Sequence, residues 1–109
     1  MTDKELLELA AKAAGIEHHG YCTEGFLFVG DGECGRWDRW NPLLDDGDAL
    51  RLAVKLRIEL EFYDGFEEVF ATENTIEAIS QTEPYKNDPY AATRRAIVRA
   101  AAEIGRSHD

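Results

Sequence analysis

The sequence predicts an α+β fold, an α-β-α layered sandwich with a small, mainly antiparallel sheet and three helices. Two observations predict it. Apolar residues recur at helical spacing in three stretches, each opened by a capping residue. Between them, Arg57 to Tyr63 alternates in polarity, the mark of a half-buried strand with one wet face, and an Asp-Gly turn follows it. The resulting order is helix, hairpin, helix, three-stranded meander, helix; a sheet needs its apolar face covered, and three amphipathic helices are there to cover it.

The first helix is expected from Thr2 to Ala14. Thr2-Asp3-Lys4-Glu5 is a capping-box pattern, and Leu6, Leu9, Ala10 and Ala13 follow on one face with Leu7 and Ala14 beside them. Gly15 stands at the left-handed stop, and Ile16 can pack back on the last turn. Phe26 to Val29 has strand composition, Gly30-Asp31-Gly32 signals a turn, and Glu33 to Trp37 would return as the second strand of a hairpin.

The stretch Trp40 to Leu56, WNPLLDDGDALRLAVKL, opens the second helix. Asp45 or Asp46 can cap its free backbone N–H groups, and Asp48 adds negative charge where the helix dipole favours it. Ala49, Leu50, Ala53 and Leu56 read as the buried face, with Arg51 and Lys55 pointing away. In the strand Arg57 to Tyr63, Ile58, Leu60 and Phe62 oppose Arg57, Glu59 and Glu61. Asp64-Gly65 then turns the chain into a strand from Phe66 to Ala71. Glu73-Asn74 marks another turn before a third strand, Thr75 to Ser80, although Thr75 to Gln81 also satisfies a helical reading. Gln81 to Asn87 reads as a polar loop containing Pro84. Asp88 caps the last helix, Pro89 occupies its first position, and Gly105 is expected to end it after Ile104. Tyr90, Ile97, Ala101 and Ile104 form its expected buried stripe, with Arg95, Arg99 and Glu103 opposite.

A chain of 109 residues with 44% apolar composition fits one folded domain, residues 1–109, with a single core. Twenty-two acids against twelve bases leave a formal charge of −10, which argues against binding a phosphate backbone directly. The charge suits a basic protein partner or imitation of phosphates. No apolar run is long enough to span a membrane, no secretory leader pattern is present, and two cysteines fit a reducing cytoplasm.

Charge is segregated along the chain. From Arg57 to Glu83 the acids are Glu59, Glu61, Asp64, Glu67, Glu68, Glu73, Glu77 and Glu83, with Arg57 the only base; Lys86, Arg94, Arg95, Arg99 and Arg106 gather around the last helix. The plainer reading of this pattern is a solvated sheet beside a balanced helix; the functional one is an acidic face for a basic partner. His18, His19, Cys22 and Cys34 match no zinc-site spacing, so no metal is expected, and His18-His19 reads as a loop pair. No phosphate loop, nucleophile elbow or dinucleotide fingerprint occurs, so no catalytic residue and no cofactor are implied.

The candidate binding residues are Trp37, Trp40, Asn41, Asp45, Asp46, Asp48, Tyr90, Arg94 and Arg95. Tryptophan favours interfaces but also fills core edges; core is the expectation for Trp40 and exposure for Trp37. The aspartate cluster suits helix capping first and a cation or ligand hydroxyl second.

WNPLLDDGDALRLAVKL and DPYAATRRAIVRAAAEIG together resemble small phage and prophage proteins with the phage ABA sandwich domain, as does the start, MTDKELLELAAKAAGI. A more distant similarity is to the Nin-region X proteins of lambdoid phages, which share a W-N-P turn and an N/D-P-x-x-A-A helix. The resemblance covers Trp40 to Gly105 and the first helix, and leaves out Glu17 to Arg39. It implies an α-β-α sandwich and a phage-encoded protein of the host cytoplasm; it implies no catalytic or ligand residues.

Three functional expectations follow. The first is a non-enzymatic accessory protein that binds a host or phage protein, with counter-defence among its roles. The second is a small-ligand or nucleotide-sequestering protein, which requires the Trp40–Asp48 stretch and Arg94-Arg95 to meet in space. The third is a magnesium-dependent nuclease or hydrolase using the aspartate cluster, with Asp45 and Asp48 as the residues to replace. Antiparallel edge strands also offer a route to a homodimer.

Overall fold

The computed structural model describes residues 2–21, 25–29, 38–72 and 80–107. Its elements are α1 (Asp3–Ala14), β1 (His18–Tyr21), β2 (Leu27–Val29), β3 (Asp38–Trp40), α2 (Asp46–Leu56), β4 (Glu59–Tyr63), β5 (Glu68–Thr72), β6 (Ser80–Pro84) and α3 (Pro89–Arg106). The chain is α+β, and among the described residues there are three helices and every strand pair is antiparallel. In place of one sheet, the strands divide between two, ordered β1-β2-β3 and β4-β5-β6.

Local chemistry sets the helix ends. The Thr2 hydroxyl accepts the Glu5 N–H at 3.2 Å and donates to the Glu5 carboxylate. Gly15, at φ 69°, closes α1 as its N–H reaches the Lys12 carbonyl and the Ile16 N–H reaches that of Ala11. Asp45 caps α2 by accepting the Asp48 N–H at 2.8 Å. The far end of α2 uses the same closure on a residue with a side chain: Arg57 adopts φ 58° and the Ile58 N–H reaches the Ala53 carbonyl. Asp88 caps α3, accepting from Ala91 N at 3.0 Å, with Pro89 at the first helical position.

The central element is α3. Buried residues occur around most of its circumference, from Ala92 and Ala96 through Val98 and Ala102 to Ile104, because α1, α2 and the strands β5 and β6 all pack on it. Its alanines let those elements approach closely. The helix does not stop at Gly105 as expected. Gly105 continues the helix, buried, with a Cβ excluded by the backbone of Leu9 on α1. Its glycine is a packing requirement rather than a terminator. Leu6, Leu7, Ala10, Ala11 and Ala14 complete the α1 side of the core; fully burying a leucine such as Leu7 contributes about 1.5–3 kcal/mol.

Several expectations are corrected. The buried face of α2 is Ala49, Leu52 and Ala53, and Leu50 is 62% exposed. Positions 49, 52 and 53 share the side that meets α3, and Leu50 lies roughly 100° around the helix from Ala49. Tyr90 likewise leaves the expected buried stripe of α3 and is 71% exposed, one residue into the helix where the neighbouring elements no longer reach it. His18 and His19 belong to strand β1, whose register pairs His18 with Val29.

The turn between β4 and β5 takes four residues, 64–67. Phe66 N bonds Tyr63 O and Glu67 N bonds Asp64 O, with Glu67 at φ 50°. Phe66 is therefore an exposed turn residue, and the returning strand begins at Glu68. Residues expected as a polar loop, Gln81 to Pro84, form most of β6, with Val69 facing Glu83 and Glu68 facing Pro84. Proline is tolerated there because β6 is an edge strand. The expected Gly30–Gly32 turn, the return over Glu33 to Trp37 and the third strand over Thr75 to Ile79 lie outside the described residues. The strand that pairs with β2 is β3, Leu27 opposite Trp40.

Candidate binding groove

Two features of the sheet β4-β5-β6 create the site. Val69 and Ala71 on its inner face are fully buried against α3, which lies on β5 and β6. The neighbouring strand β4 extends past that cover, so inward residues become steadily more exposed along it: Ile58, just before the strand, is buried, Leu60 is half-buried and Phe62 55% exposed. Phe62 was expected on the buried face; it is uncovered because the helix is not over it.

Between this overhang, the start of α2 and the start of α3 runs an open groove of about 580 Å³. Leu50, Leu60, Phe62, Tyr90 and Ile97 supply apolar walls. Its size falls in the range of ordinary ligand pockets, roughly 300–1,000 Å³. The polar groups stand at its margins. Arg94 donates from Nε to the Leu43 carbonyl at 2.9 Å and from Nη1 to Asp46 at 2.6 Å. The Tyr85 hydroxyl donates to Asp64 at 3.3 Å. Partial burial, then the charge and hydrogen bond of Asp64, then the charge of Glu67, raise the Tyr85 hydroxyl above its ordinary value.

The groove gathers three of the nominated residues, Asp46, Tyr90 and Arg94. The others are elsewhere. Trp40 is buried in the core, 7% exposed, as β3 pairs with β2. Asn41 is a structural hinge: its side chain donates to the Gly25 carbonyl and accepts from Leu43 N, and its own N–H bonds Asp48 Oδ2 at 3.0 Å. Asp48 also pairs with Arg51 at 2.7 Å. Asp45 caps α2, and its carboxylate lies 3.9 Å from Arg51. Arg95 points to the other side of α3, towards Asp3 and Glu83. Trp37 lies outside the described residues.

Sequence reasoning missed Leu50, Phe62, Asp64 and Tyr85 as site residues. One signal was available in α2, where Leu50 and Val54 form a second apolar stripe at i, i+4 spacing, and both are exposed. A hydrogen bond between residues 48 apart, Arg94 to Asp46, leaves no trace in local spacing.

Three acids of the described strands share the outer face of this sheet. There the register sets Glu59, Glu61 and Glu68 among the paired rings of Tyr63 and Phe70, whose centroids are 4.8 Å apart. Tyr63 donates to the Glu61 carboxylate at 2.8 Å, and that hydrogen bond and charge hold its hydroxyl above the ordinary range. Glu83, expected to join this face, points inward and accepts Arg99 at 2.8 Å with Arg95 at 3.4 Å. Glu73 and Glu77 lie outside the described residues.

A second concavity lies at the end of α1 among Glu8, Leu9, Ile16 and His18, where His18 Nδ1 is buried with no hydrogen-bond partner among the described residues. Among the described residues, no three His, Cys, Asp or Glu side chains converge to hold a metal ion, and no helix is long and apolar enough to cross a membrane. No protein-family model matches the chain, and neither a curated protein nor a solved structure is significantly similar to it.

Proposed function

We propose that this protein is a non-enzymatic binding module that takes a basic, amphipathic segment of a host or phage protein into the groove between α2, β4 and α3. The observation that carries this reading is the convergence of Leu50, Phe62 and Tyr90, three large apolar side chains left exposed, on one groove bordered by Asp46 and Asp64. Exposed apolar surface gathered in one concavity marks an interaction site. A chain of formal charge −10 attracts a basic partner and repels an acidic one. The phage setting and host-cytoplasmic location rest on the motif resemblance.

A nucleotide would need a free cation in the groove. Arg94 already has Nε and Nη1 committed, and the Asp46 carboxylate beside it disfavours phosphate. A partner segment that places apolar residues in the groove and a lysine or arginine near Asp64 leaves that pair intact.

The test is calorimetric titration with synthetic amphipathic peptides, lysine-rich and glutamate-rich versions of one apolar pattern. Binding of the lysine-rich peptides, lost in the double variant F62S/Y90S while circular dichroism stays unchanged, supports the reading. Equal binding of both charge types, or binding indifferent to F62S/Y90S, sinks it.

A further inference from the structure

We infer that the partner segment binds as an extended strand added to the outer edge of β4. This rests on the groove reading above and specifies the conformation and residue pattern of what the groove receives.

The strand order makes β4 an edge, paired with β5 on one side only. Among the described residues no strand pairs with its other side. Alternate residues of an edge strand direct N–H and C=O groups outward, a ready template for a further strand. The opposite edge of this sheet is treated differently: Arg99 reaches over β6 to bond the Thr82 carbonyl at 3.0 Å and the Glu83 carboxylate at 2.8 Å. No comparable arginine crosses β4 among the described residues.

The two faces of β4 determine the visitor's sequence. Leu60 and Phe62 line the groove, and Glu59 and Glu61 face the opposite, outer side. An added strand continues both faces. Its inward residues extend the apolar wall beside Leu60 and Phe62, facing the Leu50 side of the groove. Its outward residues lie next to Glu59 and Glu61, where opposite charge stabilises a cross-strand pair and like charge opposes it. The fitting segment therefore alternates apolar and basic residues with a period of two. A second copy of this chain is a poor occupant, because antiparallel pairing of β4 with itself brings glutamates beside glutamates on one face. An amphipathic helix would fill the groove but leave the edge unpaired.

The experiment uses the full chain and three short synthetic peptides that alternate valine with lysine. One is unmodified, one is N-methylated on every valine, and one on every lysine. In an added strand only one of these sets turns its N–H groups towards β4. One methylated peptide should therefore bind roughly tenfold or more weakly than the unmodified peptide, and the other should bind nearly as well. Charge reversal in E59K/E61K should weaken the lysine peptide by a similar factor and flatten its salt dependence. Equal effects of the two methylation patterns overturn the inference. So does preference for a helical peptide of the same composition, which would leave the groove reading standing. Failure of both peptide classes removes the groove reading as well. A dimer of the protein joined through β4, detected by sedimentation and excluding the peptide, would also overturn it.

Discussion

Gly105 on α3 rests against the backbone carbonyl of Leu9 on α1, with no space between them for a side-chain carbon. The contact places two helices from opposite ends of the chain at backbone distance, and it decides the sign of a substitution. In an unencumbered helix, Gly105→Ala would stabilise by about 1 kcal/mol. Here the added methyl must push against backbone, and overpacking of this kind costs about 1–3 kcal/mol. Urea unfolding of Gly105→Ala should show a lower midpoint with an unchanged slope; a higher midpoint would mean the helices separate freely.

Arg57 leads to the opposite expectation. It holds a left-handed conformation, φ 58°, to close α2, and its side chain is exposed. The left-handed region costs a residue with a Cβ about 1–2 kcal/mol, and glycine costs about 0.5–1 kcal/mol in chain entropy. Arg57→Gly should therefore raise stability by roughly 0.5–1 kcal/mol, whereas Arg57→Ala should not. Thermal melting of the two variants side by side checks it.

The aspartates before α2 carry the same charge but do different things. Asp48 accepts the Asn41 backbone N–H and pairs with Arg51, tying the W-N-P turn to the helix. Its removal leaves Asn41 N unpaired in a partly buried place, at about 1–3 kcal/mol. Asp45→Ala loses a cap, about 1 kcal/mol. Asp46 pairs with Arg94 from an exposed position, and Asp46→Ala should cost less than either. The ranking Asp48, Asp45, Asp46 in chemical denaturation is the expected result, and equal losses would show that charge alone matters.

Alkaline titration should single out two tyrosines. Tyr63 and Tyr85 are both raised above the ordinary value of 10.0, Tyr63 first by its hydrogen bond to Glu61, Tyr85 first by burial. A raised value means the folded protein holds these protons more tightly than the unfolded chain. Their stabilising contribution is full below about pH 10 and is lost as pH rises through the folded-state values. Ultraviolet titration should show a late component that shrinks in Tyr63→Phe and again in Tyr85→Phe. A single transition at the ordinary value in the native protein would contradict the hydrogen bonds to Glu61 and Asp64.

What could be read in the sequence was local. Thr2, Gly15, Asp45, Asp88 and Pro89 act on backbone groups within a few residues, and each stands where the capping rules place it. The alternation of Ile58, Leu60 and Phe62 identified a strand, but not where α3 stops covering it. That boundary, set by packing between distant elements, turned Phe62 and Leu50 from core residues into groove walls. Ser80 to Pro84 hid as a strand because its residues are polar and one is proline; only pairing with β5 reveals it. Of the Trp40–Asp48 stretch and Arg94-Arg95, which the small-ligand reading requires to meet, only Asp46 and Arg94 come together in the groove; Trp40 is in the core and Arg95 faces away.

The joining of α1 to α3 has a consequence for synthesis. Residues 3–14 are translated before residues 89–106, yet most of the surface they bury against is made of that later segment. Until those are translated, Leu6, Leu7 and Ala10 lack their main partner helix, while the β4–β5 hairpin can close on its own short turn. Pairing across such a sequence separation slows folding, and a nascent chain at this stage presents apolar surface to chaperones. Truncation anywhere within α3 should therefore yield a chain held unfinished, with its first helix made and undocked.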